Sequence, residues 1–190
     1  SKAVDVESGN ITLKKSSDDS IVETIDVTGS LVTGTGTTTI TINPTDDLAS
    51  STGYYLNIDA TAFDDGSSNS YAGISDKTTL NFTIADVIDP TLSSSTPSDG
   101  ATGIAVDANI VLTFSEAVDV ESGNITLKKS SDDSTVETID VTGSLVTGTG
   151  TTTITINPAT TLDSFTGYYL KIDLTAFDDS SSNSYAGLNT

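Results

Sequence analysis

The chemistry open to this chain is that of carboxylates. It carries 22 Asp and 5 Glu, seven Lys as its only basic residues, and no Cys, His, Met, Trp or Arg. There is thus no thiol nucleophile, no imidazole base, and no zinc or haem site of the usual kinds. Two adjacent pairs stand out, Asp64–Asp65 and Asp178–Asp179, each followed within a few residues by an amide, Asn69 or Asn183. Paired carboxylates can cleave glycosides, but these pairs lie in loop sequence without a Trp platform or any other catalytic residue type. No enzyme is expected. Asp is also a short, hard oxygen ligand suited to Ca²⁺. The spacing of an EF-hand loop is not matched, so a calcium reading has to come from how the fold gathers these residues.

The elements that must gather them occur twice. Residues 1–73 recur at 115–187 with ten differences, among them Lys2 against Glu116 and Asn57 against Lys171. The period is 114 residues, a size that can bury its own core. A catalytic site is rarely needed twice in near-identical form, whereas a spacer gains length from each copy. Apolar residues make up 35% of the chain, which suits a thin sandwich of narrow strands.

Seven short strands fit one period. TLSSSTP at 91–97 is the first. ANIVLTFS at 108–115 is the second, with Ile110, Leu112 and Phe114 on one face. NITLKK at 124–129 turns Ile125 and Leu127 inward. TVETIDV at 135–141 turns Ile139 and Val141 inward, with Val136 out of phase and so on a bulge. TTTITINP at 151–158 buries Ile154 and Ile156. GYYLKIDLTAF at 167–177 puts Tyr168, Leu170, Ile172 and Leu174 on the dry face and Tyr169 and Lys171 on the wet one. The seventh occurs only in the first copy, as KTTLNFTIAD at 77–86, with Leu80, Phe82 and Ile84 inward. Such spacing, with turn residues between and no credible helix, means an all-β sandwich or barrel.

The run STPSDGATGIAVDANIVLTFSEAV, then GYYLKID and a loop of the kind FDDSSSNSYAG, resembles the bacterial immunoglobulin-like repeats of S-layer proteins and large repetitive (RTX-type) surface adhesins. The resemblance covers the whole period and implies seven-stranded antiparallel immunoglobulin-like β-sandwich modules in tandem. Module 1 is expected at 1–86 without its first two strands, a linker at 87–90, and module 2 at 91–190 without its last strand. The chain reads as a window from a longer array, so any targeting segment would lie outside it.

If the strands alternate in direction, several loops and the incoming linker share one pole of a module. For the second copy they carry Asp119, Glu121, Asp178, Asp179 and Asn183, with Asp86 and Asp89 in the linker; for the first copy, Asp5, Glu7, Asp64, Asp65 and Asn69. Like charges so gathered call for a counter-ion, and Ca²⁺ is the expected one, stiffening the joints between modules. Asp18, Asp19, Asp132 and Asp133 read instead as turn residues. The Thr run TGTGTTTITI reads as a strand rather than an ice-binding array.

Three roles are open at this stage. The first is a structural spacer of a secreted or cell-surface protein, partnered by neighbouring identical repeats. The second is a self-assembling filament or S-layer subunit completed by strands from other chains. The third is a carbohydrate-binding module using Tyr55 or Tyr169 on a surface glycan. A net charge of −20 opposes nucleic acid and anionic membrane surfaces, and no apolar run approaches a membrane span.

Overall fold

The computed structural model describes residues 2–189, and these contain strands and turns but no helix. The chain divides into two units, Ser1–Asp86 and Val87–Thr190.

Unit 1 contains β1 (Val4–Val6), β2 (Asn10–Lys15), β3 (Ile21–Asp26), β4 (Val32–Thr33), β5 (Thr41–Ile42), β6 (Gly53–Ile58), β7 (Phe63–Asp65) and β8 (Asn81–Thr83). Its main sheet has the order β3-β2-β6-β8, and β4-β5 and β1-β7 form two short ladders. Unit 2 contains β9 (Leu92–Thr96), β10 (Ile110–Val120), β11 (Asn124–Lys129), β12 (Thr135–Asp140), β13 (Val146–Thr147), β14 (Thr151–Ile156), β15 (Tyr168–Ile172) and β16 (Phe177–Asp178). One sheet runs β13-β14-β10-β16 with β9 also on β10, and the other runs β12-β11-β15. All pairings are antiparallel.

The core of unit 2 is filled from both sheets. Leu112, Phe114, Val118, Ile154 and Ile156 come from one sheet and Ile125, Ile139 and Ile172 from the other. This is the sandwich that the period-two patterns specify, with alternate residues of each strand turned to a shared interior. The bulge at Val136 is present: Leu127 faces Glu137, Lys128 faces Thr135, and Val136 is the extra residue.

The repeat provides an internal control on what each strand contributes. Unit 1 has no counterpart of Ile110–Phe114, and its core shrinks to Ile11, Ile25, Val27, Val32, Ala62 and Phe63 with a partly buried surround. The sequence TTTITI forms six strand residues in unit 2, where it pairs with β10, but only Thr41–Ile42 in unit 1. Identical residues thus become strand or coil according to whether a ladder partner is present.

Four expectations are corrected. β10 does not end at Ser115 but continues to Val120 through a register shift between Thr113 and Val118, so Asp119 lies on a strand and not in a loop. The strand at 167–177 is two strands. β15 stops at Ile172, a turn with Ala176 N–H donating to Asp173 O follows, and β16 crosses to the other sheet. The Asp173 carboxylate accepts the Asn124 N–H at 2.8 Å and anchors that turn. Leu174 sits on it, 59% exposed rather than inward. Leu80 and Phe82 are each 38% exposed rather than inward, since β8 is the edge strand of its sheet. Tyr55, placed on the wet face, is 4% exposed: its hydroxyl donates to Asp19 and the Lys14 ammonium lies 5.9 Å from its ring centre.

Gly148 shows how tightly the hairpin before β14 turns. Its φ is +109°, and a Cβ there would collide with the Thr153 carbonyl oxygen. Only glycine takes that conformation without strain.

Candidate functional site

The crossing of β16 to the sheet of β10 creates the acidic pole of unit 2. In that short ladder Asp119 lies directly opposite Asp178, and Val120 opposite Phe177. Like charges facing each other across a ladder are destabilising unless something neutralises them. Asp119 Oδ1 accepts the Thr149 hydroxyl at 3.2 Å. Glu121 follows at the end of β10, where its N–H donates to Ala176 O.

Asp179 begins the next loop and is 5% exposed. Its Oδ1 accepts the N–H groups of Ser181 and Asn183, both at 2.8 Å, and its Oδ2 accepts the Asn183 side-chain N–H at 2.8 Å. Burial works to raise its pKa, but the bonds from Asn183 and Ser181 outweigh it and hold the carboxyl below its ordinary value. A carboxylate oxygen has two lone pairs, so Oδ2 has the capacity to accept from a second partner beside Asn183. A carboxylate oxygen of Glu116 lies within 4.8 Å of one of Asp179.

Unit 1 repeats the cross-strand pair and the loop, with a lysine in the place of Glu116. Asp5 faces Asp64 across β1 and β7, and the Glu7 N–H donates to Ala62 O. Asp65 accepts bonds from Ser67 N–H and from the backbone and side chain of Asn69. Its Oδ2 also accepts the Lys2 ammonium at 2.9 Å. Lys2, then the Asn69 and Ser67 donors, hold the Asp65 carboxyl well below the usual carboxylate range. Lys2 is thus the cation of this pole, and the repeat puts Glu116 in its place in unit 2.

Asp86 closes unit 1 and accepts the Ser50 hydroxyl at 3.0 Å, and Asp89 lies in the segment before β9. Asp18 and Asp132 accept the N–H and hydroxyl of Ser20 and Ser134, while Asp19 and Asp133 take φ near +60°. These four are turn residues, as their sequence context implies. Glu116 was missed as a ligand candidate, although the Lys2/Glu116 exchange in an otherwise constant stretch was the signal for it.

The depressed carboxyls set a pH dependence. A group whose folded pKa lies below its unfolded value, about 4 for Asp, stabilises the fold above that value and loses the contribution as pH falls through the folded pKa. Both loops should therefore loosen below about pH 4. Thermal melts between pH 5 and pH 2 check this, and Asn183→Ala should flatten the slope belonging to unit 2.

The model of one family, described as bacterial Ig-like domain, matches residues 1–84 and again residues 86–190. Comparisons with curated proteins and with solved structures returned no match.

Proposed function

The chain belongs to the bacterial Ig-like domain family, and on that premise we propose that its units are spacer modules of a secreted or cell-surface repeat protein of the adhesin kind. The observation that carries this reading is the near-identity of the two copies, residues 1–73 against 115–187, over a stretch that includes every candidate carboxylate except Asp86 and Asp89. Length and solubility are what such a duplication supplies. The absence of imidazole, thiol and guanidinium groups from the sequence favours the same reading over catalysis. Carbohydrate binding is disfavoured at Tyr55, whose ring is buried.

The reading includes Ca²⁺ at the acidic pole of unit 2, with Glu116, Asp119, Asp178 and Asp179 as its carboxylates and the Asn183 amide oxygen beside them. Two oxygens on one Ca²⁺ stand no more than about 5 Å apart, which the Glu116–Asp179 separation meets. The stronger support is the comparison of the copies. Where Lys2 supplies a positive charge to Asp65, the repeat puts the carboxylate of Glu116 within 4.8 Å of that of Asp179.

A glycan array probed with the intact chain tests the spacer role. A spacer binds nothing on it. Saturable binding lost in Tyr169→Ala would replace this reading with a carbohydrate-binding one.

A further inference from the structure

The sequence holds two Asp-Gly steps, Asp65–Gly66 and Asp99–Gly100, and no Asn-Gly step. At such a step a chain can attack itself, because glycine has no Cβ to shield the amide nitrogen that adjoins the aspartyl carboxyl. Crowding does not distinguish the two steps: a Cβ built on Gly66 or on Gly100 would meet nothing within 4 Å. What distinguishes them is the hold on the carboxyl.

Asp65 is held through both oxygens. Its Oδ1 accepts the N–H groups of Ser67 and Asn69 at 2.9 and 3.0 Å, the Asn69 side chain donates to both oxygens, and the Lys2 ammonium donates to Oδ2. The side chain is 12% exposed. Lys2 first, then the Asn69 and Ser67 donors, keep it ionised far below the usual carboxylate range. An ionised, anchored carboxylate is a poor target for a nitrogen nucleophile.

Asp99 has none of this. It lies on the turn that follows β9, closed by the Ala101 N–H donating to Ser98 O at 3.0 Å. Residues 98–103 are all exposed. Among the described residues the Asp99 carboxyl has no hydrogen bond or ion pair, and the Gly100 N–H has no acceptor. Gly100 takes φ of 69°, on backbone that glycine adopts without strain. Both reacting groups are therefore free, adjacent and open to water.

We propose that Asp99 is a site of self-modification, at which the chain closes a cyclic imide onto Gly100 and reopens as isoaspartate. The Gly100 nitrogen attacks Cγ of the protonated Asp99 carboxyl. A C–N bond forms, the C–OH bond breaks, and the hydroxyl leaves with the N–H proton as water. Water then adds to one of the two imide carbonyls. Opening at Cγ restores aspartate; opening at the α carbonyl leaves the main chain running through the former side chain. No oxidant or cofactor enters, and the water lost is the water regained. The product adds a methylene inside the Ser98–Ala101 turn, so the closing hydrogen bond loses its geometry. This chemistry is independent of the spacer and calcium readings.

The test ages the intact chain in heavy-oxygen water at weakly acid pH and physiological temperature, with the free peptide TPSDGATG alongside. Digestion and mass spectrometry with electron-transfer fragmentation then locate isoaspartate and label. Isoaspartate carrying heavy oxygen is expected to accumulate at Asp99. Conversion at Asp65 should be slower by about tenfold or more, since hydrogen bonds to a charged group must be given up before closure. In denaturant the two steps should convert alike, and Asn69→Ala should speed Asp65 in the folded chain while leaving Asp99 unchanged. The proposal is overturned if Asp99 stays unconverted while the free peptide reacts, or if Asp65 keeps pace with Asp99 in the folded chain. A difference that persists in denaturant would also overturn it, because the fold would then not be its cause.

Discussion

Phe177→Ala should destabilise unit 2 by about 3–5 kcal/mol, the usual cost of emptying a packed aromatic site. Phe177 is fully buried and makes an edge contact with Phe114 at 5.4 Å between ring centres, while Tyr185 meets Phe114 edge-on at 5.1 Å. The three rings lock the sheet crossing at β16 to the first sheet, so alanine leaves a cavity that neither sheet can close. A loss of that size is a large share of the stability of a domain that holds about 5–15 kcal/mol in all. Phe63→Ala, the same change in unit 1, should cost less, because the ring contact of Phe63 is with Tyr71 at 6.4 Å and Tyr71 is 40% exposed against 5% for Tyr185. Leu174→Ala, on the exposed turn, should stay within about 0.5 kcal/mol. Denaturant unfolding followed by resonances of each unit measures all three. Equal costs at Phe63 and Phe177 would contradict the weight given to the ring contacts among Phe114, Phe177 and Tyr185.

The second large effect is a charge exchange. Glu116→Lys should rebuild on Asp179 the ion pair that Lys2 makes with Asp65 and reduce Ca²⁺ affinity at unit 2 by more than about a hundredfold. Lys2→Glu should do the reverse and give unit 1 a site of its own, since Asp5, Asp64, Asp65 and Asn69 already stand as their counterparts do. Titration calorimetry on the intact chain should therefore count a single ion for the unaltered protein, none for Glu116→Lys and a pair for Lys2→Glu. Calcium at a hundredfold its dissociation constant adds about 2.7 kcal/mol to the stability of the unit that binds it. Calcium heat unchanged by both substitutions would remove the ion from the account, leaving the poles as solvated acid clusters.

Which faces are apolar was legible in the sequence, and so was the bulge at Val136, because alternation reports directly on side-chain direction. What alternation does not report is continuity. Leu170, Ile172 and Leu174 keep perfect phase, yet β15 ends at Ile172 and the chain turns into the other sheet. That decision belongs to Asp173, whose side chain ties the turn to Asn124, a contact 49 residues distant. The opposition of Asp119 and Asp178 depends on the same crossing. It was legible only as a shared pole and not as a cross-strand pair. Glu116 lies on the extension of β10, where the register shift between Thr113 and Val118 breaks the alternation, so its approach to Asp179 was hidden as well. Burial of Tyr55 was illegible because strand parity places it outward, while the side chains of Lys14 and Asp19 close over it.

The spacer role is tested most directly by reach. One, two and three copies of the 114-residue period would be placed between a surface anchor and a fluorescent reporter, and the height of the reporter above the surface measured. The account predicts a constant gain in height for each copy added. A height that stops growing after the first copy would contradict it.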